Sequence, residues 1–242
     1  MTGVVVVSPH LDDAIMSIGG LIIRMARAGQ LVRILTVFAG LPAWVGPPSP
    51  WDAQRGLTIA ADVFAARAAE DVGAAARLGV DGIRLPFLDA GYDTERDPDA
   101  IWAAMAPHLA DAHLVLVPGV PLAHADHRFV AELTMARLDD PACLGFYAEQ
   151  PYCLRPRYLR NFLTRAAAPG LLPAGMSVTW EDIRLGSSER RAKAQAIACY
   201  AGELRALGWR RHMDVVMERL LPGERVALAA GLPIPKYLAV AR

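Results

Sequence analysis

The chain has 242 residues, of which 54% are hydrophobic, and its 25 basic residues balance 25 acidic ones. This length is sufficient for one large α/β domain with a buried core. A net charge of zero gives no overall attraction to nucleic acid or to an anionic membrane. No apolar run approaches the roughly 20 residues that are needed to cross a bilayer. We therefore expect no nucleic-acid partner and no membrane span.

The cysteines and the amino terminus indicate a cytoplasmic protein. No basic segment precedes the first apolar run, Val4–Val7, so this run is interpreted as a strand and not as a signal peptide. Three scattered cysteines lack the spacing of a metal site, and an odd number fits a reducing compartment better than a disulfide framework. The sequence leaves the oligomeric state open, a homo-oligomer included.

Strand and helix patterns alternate through the first two thirds of the chain. Apolar, β-branched runs indicate buried strands, and apolar residues at helical spacing indicate helices. Asp12 or Asp13 can cap the first helix, and Gly29 and Gly79 are suited to end two helices. In chain order the predicted elements are strand 4–8, helix 13–28, strand 31–38, helix 58–78, strand 83–87, helix 98–110, strand 113–117, helix 127–138 and helix 187–207.

This alternation predicts an α/β protein with a Rossmann-like three-layer fold, in which a mainly parallel sheet carries helices on both faces. The pattern becomes irregular after about residue 145. Because no linker, repeat or charge run interrupts the chain, we expect a single domain over residues 1–242.

Two long segments do not fit the alternation. Residues 40–56 contain four prolines together with Trp44 and Trp51, and residues 88–97 mix acidic side chains with an aromatic one. Both leave the predicted carboxyl ends of strands, on the same side as His10. Connections of this length are usually functional or disordered. They are interpreted either as substrate-covering loops, with both tryptophans contacting substrate, or as structural flaps.

The first chemical motif is Ser8-Pro9-His10-Leu11-Asp12-Asp13, which directly follows the first predicted strand. The second is His124-Ala125-Asp126-His127, which follows the strand predicted at 113–117. Open α/β sheets bind ligands at the carboxyl ends of their strands. Imidazole and carboxylate ligands with an open position for water are typical of a catalytic zinc site, and a further carboxylate can accept the proton of that water. The two motifs therefore predict one metal site and metal-assisted hydrolysis.

These motifs resemble those of the PIG-L/LmbE-type N-acetylglucosaminyl deacetylases. That family has Pro-His-x-Asp-Asp after its first strand and His-x-x-His after a later one. The resemblance implies that His10, Asp13 and His127 bind zinc. It also implies that Asp12 is the general base and that His124 assists as an acid or as an oxyanion partner.

Weaker likenesses extend over most of the chain. Arg67-x-x-Glu70 resembles a family helix whose arginine faces the substrate. Residues 147–152 resemble an aromatic-acid-Pro-Tyr segment, and residues 193–200 resemble a Lys-led C-terminal helix. One departure is Ala14, where many members have Glu. This form of the motif is more similar to a subgroup found near antibiotic and glycolipid pathways than to enzymes of simple N-acetylglucosaminides.

Each motif residue also has an ordinary structural interpretation. His10 could be a cap residue, and Asp12 and Asp13 could be acids that the helix dipole favours at a helix start. His124 and His127 alone would be ordinary surface or core histidines. These interpretations explain single residues, but not why a second histidine cluster follows another strand.

Other candidate residues leave more than one interpretation open. Arg67 either faces the substrate or forms a helical ion pair with Glu70. Asp126 is either the N-cap of the helix predicted at 127 or a carboxylate that holds an imidazole by a hydrogen bond. Asp89 and Tyr92 are candidate substrate contacts.

Taken with the resemblance, the sequence predicts a hydrolase that removes an N-acyl group, N-acetyl in the leading case, from an aminosugar-containing small molecule or glycoconjugate. Antibiotic and glycolipid intermediates are the expected scaffolds. The expected cofactor is one Zn²⁺ ion, although these ligand types also admit other divalent transition metals. An amidase of a thiol or amino-acid conjugate is the alternative enzyme. A non-catalytic metal- or carbohydrate-binding module is the alternative of another class, and Asp12 argues against it because a binder needs no spare carboxylate.

Overall fold

The computed structural model describes residues 3–41, 46–93, 95–154, 178–208 and 221–229, together with positions 218, 235 and 238. In chain order its helices and strands are β1 Gly3–Ser8, α1 Asp13–Arg27, β2 Val32–Thr36, α2 Ala60–Leu78, β3 Asp81–Arg84, α3 Pro98–Leu109, β4 Ala112–Val120, α4 Ala125–Arg137, β5 Leu144–Ala148, β6 Val178–Arg184, α5 Ser187–Ile197, α6 Ala201–Ala206 and β7 Gly223–Ala229. Short 3₁₀ helices span Asp52–Arg55, Pro141–Cys143 and Tyr152–Leu154.

The strands form one mixed sheet in the order β3-β2-β1-β4-β5-β7-β6. The first five strands of this order are parallel, whereas β7 runs antiparallel to both β5 and β6. From β1 the chain proceeds to β2 and β3 on one side and then returns to β4 on the other side. The order of the strands therefore reverses at β1, and ligands of open α/β sheets bind at the carboxyl edge beside such a reversal.

Alternate residues of β1 face two hydrophobic cores. Val4 and Val6 pack with apolar residues of α1, α2 and α5 on one face of the sheet. Val5 and Val7 pack with apolar residues of α3 and α4 on the other face. Because both faces of β1 are covered, this strand is an apolar run with no alternation of polar residues, as expected for a central parallel strand.

Helix α1 contains a bend that divides it into two parts. Ile18 has non-helical backbone angles, φ −133° and ψ 28°, while helical structure continues on both sides of it. Gly19 and Gly20 follow directly, and both are buried. Sharp bends in helices arise where side chains insert into the backbone hydrogen-bond ladder, among other causes.

The predicted α/β fold with a mainly parallel sheet and helices on both faces is confirmed. Gly29 and Gly79 follow α1 and α2 with φ of 79° and 68°, the left-handed conformation that glycine adopts at helix ends. The helix predicted at 187–207 is wrong in one respect, because α5 and α6 are separate helices. Tyr200 lies at the break, where its buried hydroxyl donates a hydrogen bond to the Leu11 carbonyl at 2.9 Å. Among the described helices, none combines the length and apolar character needed to span a membrane.

Candidate active site

The two sequence motifs meet at the carboxyl edge of the sheet. His10, Asp12 and Asp13 follow β1, while His124 and His127 follow the neighbouring strand β4. The helices α1 and α4 begin at these motifs and run away from the edge. The fold therefore brings together residues that are more than a hundred positions apart in the chain.

Three donor atoms at this edge form a nearly equilateral triangle. Asp13 Oδ2 lies 3.1 Å from His10 Nδ1 and 3.1 Å from His127 Nε2, and the two nitrogens are 3.2 Å apart. Ligand atoms of one tetrahedral zinc ion lie about 3.3 Å from each other, because each bond to the metal is about 2.0–2.1 Å long. The donor atoms of these three residues therefore fit a divalent metal ion.

His124 lies at the rim of the same cluster. Its ring centre is 5.1 Å from those of His10 and His127, and one nitrogen of each histidine lies within 4.8 Å of the others. Its Nδ1 accepts a hydrogen bond from the backbone N–H of Asp126 at 3.2 Å, so His124 is the N-cap of α4. The interpretation of Asp126 as the N-cap is thus wrong, because its carboxylate is engaged elsewhere. His124 Nε2 is the nitrogen that remains to act on a ligand.

Carboxylates hold the far ring nitrogens of the two histidines of the triangle. His10 Nε2 lies 2.9 Å from Asp126 Oδ2, and His127 Nδ1 is hydrogen-bonded to Glu149 Oε1. The second oxygen of Glu149 accepts a hydrogen bond from the backbone N–H of Leu122 at 2.6 Å. Carboxylates in this position fix the tautomer and ring orientation of histidines that bind metals. The alternative interpretation of Asp126, as a carboxylate that holds an imidazole, agrees with this contact.

The charges of this cluster favour a bound cation. Burial opposes protonation of His10, but hydrogen bonds with Asp126 and Asp13 outweigh it and raise the pKa of His10 to about 9. Burial also opposes ionisation of Asp13, yet the neighbouring His127 and His10 hold the pKa of this carboxyl well below its usual range. Despite burial, the hydrogen bond from His10 helps to lower the pKa of Asp126 to about 2. Two ionised carboxylates thus surround imidazoles that can exchange a proton for a metal ion.

Asp12 lies beside the triangle and not in it. It occupies the N-cap position of α1, but its side chain makes no capping hydrogen bond, so the interpretation of Asp12 as a helix cap is not supported. The side chain lines a cavity together with His10 and Asp13. Burial, followed by the charges of Glu203 and Asp13, raises the pKa of Asp12 to about 8. A carboxylate in this environment accepts a proton more readily than an exposed one.

The cavity has a volume of about 270 Å³, and several acidic residues of its lining form an acidic wall. In this wall Arg67 Nη1 lies 3.0 Å from Asp89 Oδ2 and 3.5 Å from Asp52 Oδ2. Behind it, the buried Arg55 forms ion pairs with Asp52, at 3.1 Å, and with Glu203. Each arginine is shared between at least two carboxylates. The carboxylates of this wall therefore outnumber its arginines, and the wall offers mainly hydrogen-bond acceptors to a ligand.

Some of the residues predicted to contact substrate line the cavity, and others do not. Arg67, Asp89 and Trp51 line the cavity. Tyr92 is not among the lining residues; its hydroxyl donates to Asp52 Oδ2 at 2.8 Å and accepts from the Ser49 N–H at 3.0 Å. A substrate contact by Tyr92 stays a prediction, and Trp44 lies outside the described residues.

The interpretation of Arg67 and Glu70 as a helical ion pair is wrong. Arg67 turns towards the cavity, where Asp52 and Asp89 hold it. Glu70 instead pairs with Arg55 at 3.2 Å. Both side chains form their ion pairs with residues outside α2, although their spacing of three residues along the helix would allow them to pair with each other.

No role was predicted from the sequence for four residues of this region, although two of them, Glu149 and Tyr152, lie in the segment 147–152 that resembles a family motif. Glu149 follows β5 directly, and its position at the edge of the sheet next to β4 is a signal that could have identified it. Tyr152 lines the cavity and stacks edge-on against His127, with ring centres 5.6 Å apart. Asp52 and Glu203 come from a 3₁₀ helix and from α6, and no local pattern places either of them near the histidines.

Comparison with known proteins identifies the family. The family model of PIG-L, the GlcNAc-PI de-N-acetylases, matches residues 5–138, which is more than half of the chain and includes both motifs. No curated protein sequence matches the chain.

Several solved structures share the fold. A triple mutant of a deacetylase from the teicoplanin biosynthetic pathway is 22% identical with a TM-score of 0.78, covering 96% of this chain and 100% of that one. The A40926 pseudoaglycone deacetylase is 26% identical with a TM-score of 0.75, and 99% of each chain is covered. The N,N'-diacetylchitobiose deacetylase from Pyrococcus horikoshii is 16% identical with a TM-score of 0.58, covering 93% of this chain and 83% of that one. With both motifs inside the matched segment and the same fold in these enzymes, the chain belongs to the PIG-L family of de-N-acetylases.

Proposed function

We propose that this protein is a metal-dependent hydrolase that removes an N-acetyl group from an aminosugar carried on a larger small molecule. His10, Asp13 and His127 hold one divalent metal ion, and zinc is the metal that this ligand set favours. Asp12 is the general base, and His124 acts on the oxyanion or on the leaving amine.

The observation that carries the proposal is the triangle of donor atoms, with all three edges between 3.1 and 3.2 Å, next to a carboxylate that does not belong to it. A binding module needs only the triangle. The additional presence of Asp12 in the cavity supplies a proton acceptor, which hydrolysis requires.

A metal ion in the triangle would supply Lewis acidity to the attacking water and to the carbonyl oxygen of the substrate. Asp12 accepts the proton of the water as the water oxygen bonds to the carbonyl carbon, and the C–N bond then breaks as the nitrogen takes up a proton and leaves as the amine. His124 stabilises the negative charge that develops on the carbonyl oxygen, or it donates a proton to the departing nitrogen. Burial, together with the charges of His10 and His127, lowers the pKa of His124, so this imidazole, once protonated, gives up its proton more readily than an exposed histidine.

The cavity supports a sugar as the group next to the amide. Its wall presents carboxylates of Asp89, Asp52 and Glu203, which accept hydrogen bonds from hydroxyl groups. Trp51 lines the cavity and is 44% exposed, so part of its ring is available to a ligand. The similar solved structures include deacetylases of teicoplanin and of A40926 pseudoaglycone, which supports a sugar attached to a large scaffold.

Metal analysis and acetate release test this proposal together. The purified protein should contain about one equivalent of metal per chain. It should release acetate from N-acetylglucosaminides with a large aglycone, and poorly from N-acetyl conjugates of thiols or amino acids. Metal without acetate release on any sugar substrate would favour the binding module, and preferred hydrolysis of the thiol or amino-acid conjugates would favour the alternative amidase.

Histidine variants test the ligand set. His10→Ala and His127→Ala should lose most of the metal, because each removes one of three protein donors. His113→Ala is a matched control, since His113 is an exposed histidine of β4 outside the cluster. Full metal content in both ligand variants would contradict the proposed metal site.

A further inference from the structure

A buried ion pair lies behind the candidate active site, between α5 and β7. Lys193 Nζ is 2.8 Å from Glu224 Oε1, and both side chains have no exposed surface. Lys193 belongs to the segment that resembles the Lys-led helix of the family, and the proposed mechanism gives it no role. A buried pair of charges is costly unless further hydrogen bonds satisfy both groups.

The pair inserts into the bend of α1. Glu224 accepts hydrogen bonds from the backbone N–H groups of Gly20, at 2.8 Å, and Leu21, at 2.7 Å. Lys193 donates to the backbone carbonyl of Ser17 at 3.3 Å. In a straight helix the N–H of Leu21 would bond to that same carbonyl, four residues earlier. The ion pair thus occupies the two backbone groups that regular helix geometry would join.

The glycines at the bend permit this insertion. A Cβ atom on Gly20 would lie 3.0 Å from Glu224 Oε1, and one on Gly19 would lie 3.3 Å from Lys193 Cγ. Larger residues would push both charged side chains away from the helix axis. Glycine at these two positions therefore permits the close approach of the pair and, at Gly20, that of Leu185 as well.

The same hydrogen-bond network also extends towards His127, another corner of the metal triangle. Lys193 donates to Gln150 Oε1 at 2.9 Å, and the backbone N–H of Gln150 donates to Ser17 Oγ at 3.1 Å. Gln150 directly follows Glu149, whose carboxylate holds His127. The contacts therefore connect α1, which carries Asp13, to the segment whose Glu149 holds His127.

On the other side of Ser17, one helical turn leads back to Asp13, whose Oδ2 is the third corner of the triangle. The bend at Ile18 separates the short part of α1 that carries Asp13 from the longer part, and Ser17, with its contacts to Lys193 and Gln150, lies at the end of the short part. We propose that the Lys193–Glu224 pair, acting through Ser17 and Gln150, is a positioning element that sets Asp13 against His127 at the metal triangle.

This inference rests on the proposed metal site, and metal affinity is the measurement that tests it. Replacing one charge alone would leave the other buried and unpaired, so the double variant Lys193→Met/Glu224→Gln is used. Zinc affinity is measured on the folded full-length chain by competition with a chromophoric chelator. We expect the dissociation constant to rise by about 10- to 100-fold, the effect seen when groups that orient metal ligands are removed.

Arg24→Met is the matched control. Arg24 lies in the later part of α1 and forms an ion pair with Glu189 of α5 at 2.6 Å, so it also links α1 to the helix that carries Lys193. Its loss should lower the thermal midpoint and leave zinc affinity unchanged. An equal loss of zinc affinity in the control variant would show that general loosening of α1 is responsible and would overturn the inference.

Ser17→Ala provides a milder test that does not disturb the charges. It removes the acceptor of the Gln150 N–H and keeps a residue with high helix propensity. We expect zinc affinity to weaken several-fold, and kcat at saturating zinc to fall as well. If the double variant does not fold, unchanged zinc affinity in Ser17→Ala overturns the inference.

The outcomes separate this inference from the proposed function. A wild-type protein that binds no metal contradicts the proposed function itself. A wild-type protein that binds metal and releases acetate, together with a folded double variant of unchanged zinc affinity, contradicts only the positioning role of Lys193 and Glu224.

Discussion

The adjacent residues Asp12 and Asp13 have different surroundings, and their carboxylates are therefore suited to different roles. Asp13 contacts both His10 and His127 and is held ionised. Asp12 faces the cavity, where burial and the charge of Glu203 raise its pKa. A single turn at the start of α1 can therefore present one carboxylate to a metal ion and another to a water molecule.

Asp12→Asn should retain metal and lose most of its turnover. The amide keeps the shape of the side chain but cannot accept the proton, and loss of a general base typically costs about 100-fold or more in kcat. Asp13→Asn is the matched comparison, because it should lose metal as well as activity. Near-normal kcat in Asp12→Asn at full metal occupancy would contradict the role of Asp12 and leave the hydrolase class intact.

Trp51→Ala should discriminate between substrates of different size. The ring lines the cavity and remains 44% exposed, which suits contact with a large scaffold beyond the sugar. We expect kcat/KM to fall about tenfold or more for an N-acetylglucosaminide with a large hydrophobic aglycone, and much less for free N-acetylglucosamine. Equal losses on both substrates, or none on either, would make the tryptophan ordinary packing and the segment around it a structural flap.

At the scale of elements, two glycines inside helices should respond to alanine in opposite ways. At Gly20 in α1 a Cβ atom would overlap Leu185 Cδ1 and lie 2.7 Å from Cδ2, so Gly20→Ala should destabilise the protein by about 1–3 kcal/mol through overpacking. At Gly73 in α2 the nearest atom, Cys199 Sγ, is 3.6 Å away, so Gly73→Ala should stabilise it by about 0.5–1 kcal/mol. Urea unfolding of both variants checks these signs. A neutral or stabilising Gly20→Ala would mean that Leu185 can move aside.

The elements also show what a sequence pattern can and cannot predict. Apolar runs and helical periodicity placed β1, α1 and α4 close to their true bounds, because burial on a sheet face or a helix face leaves a local signature. The break after α5 left none. Alanine-rich sequence favours an uninterrupted helix, and the burial of Tyr200 against Leu11 and Asp71 overrides it through contacts that are distant in the chain.

At the scale of the whole molecule, metal binding should raise thermal stability. A ligand present at 1,000 times its dissociation constant stabilises the native state by about 4 kcal/mol. Each kcal/mol shifts the midpoint by about 2–4 °C in a chain of this size, so zinc added to metal-free protein should raise Tm by roughly 10 °C. His127→Ala should show no such rise. An equal rise in that variant would place the stabilising metal elsewhere.

As with the helices and strands, the site residues that belong to a local sequence pattern were predicted, and those placed by contacts distant in the chain were not. His10, Asp13, His124 and His127 were identified because two short motifs follow two strands, and the sheet brings strand ends together. Asp52 and Glu203 were not identified, because Arg55 joins them across segments that share no sequence pattern. The predicted family is confirmed by the match to residues 5–138, whereas the roles of the individual residues stay predictions.

The segment that matches the family, residues 5–138, contains every corner of the triangle, but two of the carboxylates around the site lie beyond it. Glu149 holds His127 from the end of β5, and Glu203 faces Asp12 from α6. A crossover between two relatives just after α4 would therefore combine the donor atoms of one parent with the orienting groups of the other. Chimaeras should keep their activity only when the chain from β1 through α6 is inherited as one block, so the unit of recombination in this enzyme is longer than the unit that the motifs define.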